Sequence, residues 1–225
     1  MTENSSKLPS RREAVRLKNA RKLSPSSQRW LQRQLNDPYV TAAKAQGWRS
    51  RAAFKLLELD EKYKLISKNA RVLDLGAAPG GWSQVALAHG ASRVVGIDLL
   101  EILPVTGAEF IQGDFLDEGM EVRLMEMLGG KADLVMSDMA PNTSGHVATD
   151  HLRIMALAET ALAFACDILA PEGAFVAKLF QGGAEKGMLT TLKARFRQVR
   201  HAKPPASRKD SKEMYVIATG FRAEL

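Results

Sequence analysis

From Ala70 onward the chain alternates short apolar runs with longer amphipathic stretches, and few folds accommodate that alternation. Arg71-Val-Leu-Asp-Leu-Gly76 reads as a buried strand, followed by a glycine-rich turn and a helix from Trp82 to Ala88. Further strands are expected at 93–98, 109–114 and 132–138, with a helix over about 118–128. A long helix, about 150–168, leads through the turn Ala170-Pro-Glu-Gly173 to a fifth strand, 174–180. A helix over about 185–195, a short strand near 198–201, a basic loop and a last strand from Glu213 to Gly220 complete the pattern. Apolar strands spaced by helices predict an α/β domain with a mostly parallel sheet. Ahead of it, a helix is expected from about Arg51, where Phe54, Leu56, Leu57 and Leu59 form an apolar face.

Charge is informative once it is located. Residues 1–55 carry 13 Lys/Arg against 3 Asp/Glu, residues 56–192 carry 10 against 19, and residues 193–212 carry 8 against 1. An acidic body with two basic segments suits a protein that meets a polyanion at a defined face. Residues 1–28 are polar and basic and are expected to form a disordered arm, with order beginning near Trp30 and a single domain over 29–225. The one cysteine, Cys166, lies among apolar residues and reads as a buried structural thiol. The first residues lack the apolar core of a signal peptide, and no uncharged run is long enough to span a membrane, so a cytoplasmic protein is expected.

In a parallel α/β sheet, ligands collect beyond the carboxyl ends of the strands. The first such turn is Asp74-Leu-Gly76-Ala-Ala-Pro79-Gly80-Gly81-Trp82, where glycine permits a tight turn and a close ligand approach. Asp98 closes the second strand, where a carboxylate can accept both hydroxyls of a ribose, and Asp114 closes the third, where it can accept from an exocyclic amine. Acidic groups at successive strand ends suit a nucleoside and would repel the pyrophosphate of a dinucleotide. Ala78 and Pro79 also interrupt the glycine pattern of a nicotinamide site, which makes an oxidoreductase the poorer reading. The four histidines show no metal-ligand spacing, and no metal is assigned.

The segments Asp74-Leu-Gly-Ala-Ala-Pro-Gly-Gly-Trp-Ser83 and Ser137-Asp-Met-Ala-Pro-Asn142 resemble the RlmE (RrmJ/FtsJ) family of ribosomal RNA ribose methyltransferases. The similarity spans roughly residues 27–225 and includes 49–56, 176–182 and 211–215. It implies a Rossmann-like, S-adenosylmethionine-dependent fold with seven strands, the last antiparallel. It further implies a catalytic tetrad at Lys55, Asp138, Lys178 and Glu213, and cofactor contacts at Gly80, Trp82, Asp98, Asp114 and Asp138, to which the glycine turn adds Gly76. The implied substrate is a uridine ribose in the A-loop of large-subunit ribosomal RNA, acted on by a monomer away from any membrane.

Topology supports the tetrad independently. Asp138 and Lys178 lie toward the carboxyl ends of neighbouring strands, Lys55 lies on the preceding helix, and Glu213 begins the last strand, which the resemblance implies runs antiparallel and so starts at the same edge. Methyl transfer from a sulfonium is an in-line displacement that needs positioning and the removal or sharing of one hydroxyl proton. Lys178 is expected to serve as a neutral base or as a charged stabiliser of the oxygen. The loop 203–212, with Arg49, Arg51 and the N-terminal arm, is expected to bind phosphates. Trp30, Tyr39 and Trp48 read as core residues rather than base-stacking ones, and 142–147 as a loop that closes over substrate. Alternatives are a ribose methyltransferase for transfer RNA or a messenger cap, a base methyltransferase, and a non-catalytic RNA-binding assembly factor.

Overall fold

The computed structural model describes residues 17, 24–141, 144–181 and 186–223. Seven strands form one sheet: β1 (Arg71–Leu75), β2 (Arg93–Asp98), β3 (Ala108–Gln112), β4 (Ala132–Ser137), β5 (Leu169–Phe180), β6 (Phe196–Ala202) and β7 (Glu213–Phe221). Their order is β3-β2-β1-β4-β5-β7-β6. Strands β1 to β5 pair in parallel, while β7 runs antiparallel to both β5 and β6. The chain therefore switches direction of winding between β1 and β4, and the carboxyl ends of these two strands open a crevice.

The period of two along each strand decides what lies on each face. Leu73, Leu75, Val95, Ile97, Val135, Phe175, Ala177 and Val216 pack on one side, beneath α5 (Met120–Leu128), α6 (Val147–Ile168) and α7 (Lys186–Arg195). Their neighbours Val72, Val94, Leu134, Met136, Val176, Tyr215 and Ile217 pack on the other, against α2 (Pro38–Gln46), α3 (Ala53–Tyr63) and α4 (Gly81–Ala88). Tyr39 and Trp48 belong to this second core, as expected, at 9% and 8% exposure. The side chain of Trp30 lies outside the described residues. Cys166 is partly buried against the first core, together with Met125 and Met127.

Two features differ from the sequence reading. The turn Ala170–Gly173 is not a break before β5 but an irregularity within it. Pairing steps from Ala132↔Leu169 to Leu134↔Ala174, so residues of β5 bulge out, with Glu172 at φ 65°. Two helices precede the one expected from Arg51. Helix α1 (Pro25–Asn36) is capped by Ser24, and α2 by Asp37, each followed by proline in its first turn. Helix α1 straddles the expected boundary at residue 29, while 1–16 and 18–23 lie outside the described residues. Among the described residues, no helix is long and apolar enough to cross a membrane.

Candidate active site

Strand register brings the four expected residues together. Lys178 sits directly opposite Tyr215 across the β5–β7 ladder, and Glu213 lies two residues along β7, on the same face as Tyr215. Ser137 pairs with Ala177, so Asp138, one residue beyond β4, arrives beside Lys178. That face is the one covered by α3, whose third residue is Lys55.

The contacts form a chain rather than a ring. Lys178 Nζ lies 2.9 Å from Asp138 Oδ1 and donates to the Asp138 backbone oxygen at 2.7 Å. Lys55 Nζ is 3.5 Å from Asp138 Oδ2 and 2.9 Å from each Glu213 oxygen. Glu213 also accepts from Ser207 Oγ at 2.8 Å. Glu213 thus pairs with Lys55, not with Lys178. Burial by itself would raise the Asp138 carboxyl, but the cations of Lys178 and Lys55 and the hydrogen bonds from Tyr215 and Lys178 outweigh it and hold the group below the usual carboxylate range.

Tyr215, to which the sequence assigns no role, joins the cluster. Its hydroxyl donates to Asp138 Oδ1 at 2.5 Å, its ring lies 5.6 Å from Lys55 Nζ, and it stacks against Trp82 with centroids 5.8 Å apart. Burial, then the charges of Asp138 and Glu213, push the phenol well above its ordinary value, so it remains a donor. The signal was available: alternation along the last strand puts residues 213 and 215 on one face.

The expected cofactor residues lie at the carboxyl ends of β2 and β3 and in the turn and helix start that follow β1. Gly76 has φ 73°, and a Cβ there would meet Met139 Cγ at 2.2 Å, so the turn requires glycine twice over. Gly80 caps α4 in a left-handed conformation, and the first amides of this helix have no intrahelical acceptor. Asp98 accepts from the amides of Ala78 at 2.9 Å and Leu100 at 2.8 Å, and Asp114 from that of Leu116 at 3.0 Å. Each carboxylate keeps lone pairs for hydroxyls or an amine. Leu99, Leu100 and Leu116 expose 68%, 67% and 60% of their surface beside these carboxylates, an apolar surround suited to a purine. Trp82 is different: its indole is buried and donates to Ala52 O at 2.8 Å. Its side chain is part of the core, which leaves only its backbone to face a ligand. Buried beneath this turn, Asp74 accepts from Ser83 Oγ at 2.7 Å; burial, with Asp138 and Asp98 nearby, raises it to about 7 despite that bond.

Two expected phosphate ligands are committed elsewhere. The Arg49 guanidinium donates to the carbonyls of Pro79, Leu103 and Pro104, pinning the β1–α4 turn to the segment after β2. Arg51 pairs with Asp37 at 2.8 Å, donates to Ala206 O at 2.6 Å and lies over the Tyr39 ring at 5.5 Å. The loop 203–212 is not a loose turn, because Ala206 N donates to Glu58 Oε2 at 2.7 Å and Pro204, Ala206 and Ser207 are buried. In the loop after β4, Asn142 and Thr143 lie outside the described residues. Ser144 is tied through its amide and hydroxyl to Asp150, both at 2.7 Å.

Known proteins resemble this chain over most of its length. The profile of the FtsJ-like methyltransferase family matches residues 48–221. A protein of Acidiphilium cryptum named ribosomal RNA large subunit methyltransferase E is 72% identical over 214 residues, 95% of each chain. One of Granulibacter bethesdensis with the same name is 69% identical, over 94% of this chain and 92% of that one. A crystal structure from Plasmodium falciparum, described as a ribosomal RNA methyltransferase, superimposes with a TM-score of 0.70 at 31% identity, covering 77% of this chain and 98% of that one.

Proposed function

Since this chain belongs to the FtsJ-like methyltransferase family, we propose that it transfers a methyl group from S-adenosylmethionine to the 2′-oxygen of a uridine ribose in large-subunit ribosomal RNA, acting in the cytoplasm as a monomer. The observation that carries this reading is the meeting of Lys55, Asp138, Lys178 and Glu213 at the strand edge beside the glycine turn. When bound, the cofactor supplies an electrophilic methyl on a sulfonium. Its ribose and adenine fit the carboxylates of Asp98 and Asp114 and the exposed leucines between them. Gly76, Gly80 and the backbone at Trp82 suit the remainder.

Lys178 spends two of the three outward positions on its nitrogen on Asp138. The third is left for the acceptor. As an ammonium, the nitrogen donates a hydrogen to the 2′-oxygen as negative charge develops there. As an amine, it receives the hydroxyl proton through its lone pair. Asp138 fixes the nitrogen in either case, while Tyr215 and Lys55 fix Asp138. Holding the hydroxyl in line with the methyl group supplies the larger part of the acceleration.

The test is to map 2′-O-methyl groups on large-subunit RNA from cells with and without the protein, and to repeat the transfer in vitro with labelled S-adenosylmethionine. Lys178→Ala is expected to abolish transfer while cofactor binding, measured by calorimetry, persists. Near-normal turnover in that variant removes Lys178 from the mechanism. A methyl group found on a base or on transfer RNA instead overturns the substrate assignment, and wild-type protein that transfers nothing overturns the activity.

A further inference from the structure

A cleft of about 430 Å³ opens from the Lys55–Glu213 pair between α1 and the loop 203–212, and its rim carries Arg33, Gln34, Arg208 and Asp210. It is separate from the region around Asp98 and Asp114, since neither these residues nor those of the glycine turn line it. Its size falls within the range of about 300–1,000 Å³ typical of ligand sites. Four cationic side chains line it against two carboxylates, but they are not equally available. Lys55 is held by Glu213, and Arg51 by Asp37 and Ala206. Arg33, exposed on the last turn of α1, makes one hydrogen bond among the described residues, from Nε to Arg29 O at 3.3 Å. Among the described residues, Arg208 has one ion-pair contact, a long one of 3.6 Å, to the Asp37 carboxylate that Arg51 already occupies at 2.8 Å. Among the described residues, Arg33 and Arg208 thus keep guanidinium donors that the fold does not take up, and both line a cleft shared with Lys55 and Glu213 of the candidate active site.

The acceptor's own chemistry says what must pass there. A ribose 2′-oxygen and the 3′-phosphodiester hang from adjacent ring carbons, whereas the 5′-phosphate hangs from the far side of the sugar. Once the 2′-oxygen reaches Lys178, the 3′-phosphodiester has to leave the site a short way off, and an anion leaving past Lys55 enters this cleft. Resting on the reading of the chain as an RNA ribose methyltransferase, we infer that Arg33 and Arg208 clasp the phosphodiester on the 3′ side of the target nucleotide, and that α1 is one wall of the acceptor channel. Guanidinium suits the task because its paired donors match two phosphate oxygens.

The experiment uses full-length protein and the ribosomal RNA that wild type methylates. Arg33→Ala and Arg208→Ala, both on exposed or half-exposed side chains, are each expected to raise the RNA KM several-fold. Each should also flatten the log–log salt dependence of RNA binding by about 0.7, the increment for one phosphate contact on a single strand. Arg93→Ala, which removes an exposed pair with Glu109 far from the cleft, is the control and should leave the slope unchanged. Phosphate-ethylation interference on the same RNA is expected to show wild type blocked at the phosphate 3′ of the methylated nucleotide and Arg33→Ala indifferent there. An unchanged slope in both variants, or interference confined to the 5′ side, overturns the inference and leaves the methyltransferase reading standing. Wild type that methylates no ribose overturns both.

Discussion

Replacing Lys55 by Met tests whether the four charged residues act as one electrostatic unit. Lys55 Nζ stands 2.9 Å from both oxygens of Glu213, and the two side chains are 8% and 13% exposed. At that spacing the gross attraction is about 5–6 kcal/mol with an effective dielectric near 20. Much of it is offset by the desolvation of both ions, so the net worth of the pair is far smaller. Removing one partner of such a pair typically costs about 3–5 kcal/mol, because the other charge is left buried. Here Glu213 retains the Ser207 hydroxyl at 2.8 Å, which places the cost nearer 2–3 kcal/mol. For a domain of this size about 2–4 °C of melting temperature is lost per kcal/mol, so Lys55→Met should melt roughly 4–12 °C below wild type. Lys55→Met combined with Glu213→Gln should recover at least half of that loss, since Gln still accepts from Ser207 and no charge is stranded. Methyl transfer should stay low in both, because Asp138 has lost one of its two cations. Melting followed by circular dichroism and a labelled-methyl transfer assay read the two effects separately. Equal melting of Lys55→Met and wild type, or a double variant that loses the sum of the two single losses, would refute the coupling.

Two further outcomes follow from groups near the crevice. Asp74 is raised from 3.8 to about 7, first by burial and then by Asp138 and Asp98, so the folded protein holds a proton that the unfolded chain releases near pH 4. That contribution is complete below pH 4 and is lost as the pH climbs to 7, by at most about 4 kcal/mol. Asp74→Asn should therefore gain stability relative to wild type between pH 5 and 8 in urea unfolding, and a pH-independent difference would count against a protonated Asp74. Arg49→Ala removes the three carbonyl contacts that join the β1–α4 turn to the segment after β2. A loss of about 1–2 kcal/mol should surface as a roughly five- to thirtyfold weaker affinity for S-adenosylmethionine by calorimetry. Unaltered cofactor affinity with a flatter RNA salt slope would instead restore Arg49 to phosphate binding.

The sheet was legible because its information is periodic. The central strands β1, β2, β4 and β5 announced themselves as apolar runs, and the βα alternation left one architecture to consider. The convergence of Lys55, Asp138, Lys178 and Glu213 was legible for the same reason, since charged residues near the ends of neighbouring strands have one edge to meet at. Helices α1 and α2 went unread because Arg, Gln and Asn crowd α1 and α2 is short, even though Ser24-Pro25 and Asp37-Pro38 are good starts for helices. The bulge at Ala170–Gly173 read as a turn because its residues are turn formers. Only the pairing of Leu169 with Ala132 brings them inside the strand.

Arginine allocation is where reading one dimension fails for a physical reason. A guanidinium carries five donors on a long stem, and the sequence gives no sign whether those donors meet carbonyls of its own fold or phosphates of a partner. Arg49-Ser50-Arg51 looked like a phosphate grip, but both arginines face inward, one onto Pro79, Leu103 and Pro104, the other onto Asp37 and Ala206. These contacts give the segment a different use. Arg49 braces the loops beside Asp98, and Arg51 braces the loop beside Glu213, so three residues hold the donor crevice and the acceptor cleft at a fixed separation. In-line displacement depends on the positioning of donor and acceptor. The cationic surface left for RNA then shifts outward, to Arg33 on α1 and to Arg208, Lys209 and Lys212 on the docked loop. The distribution of charge along the chain points to basic segments, but only the hydrogen bonds separate the arginines that brace the fold from those left with donors to offer a strand.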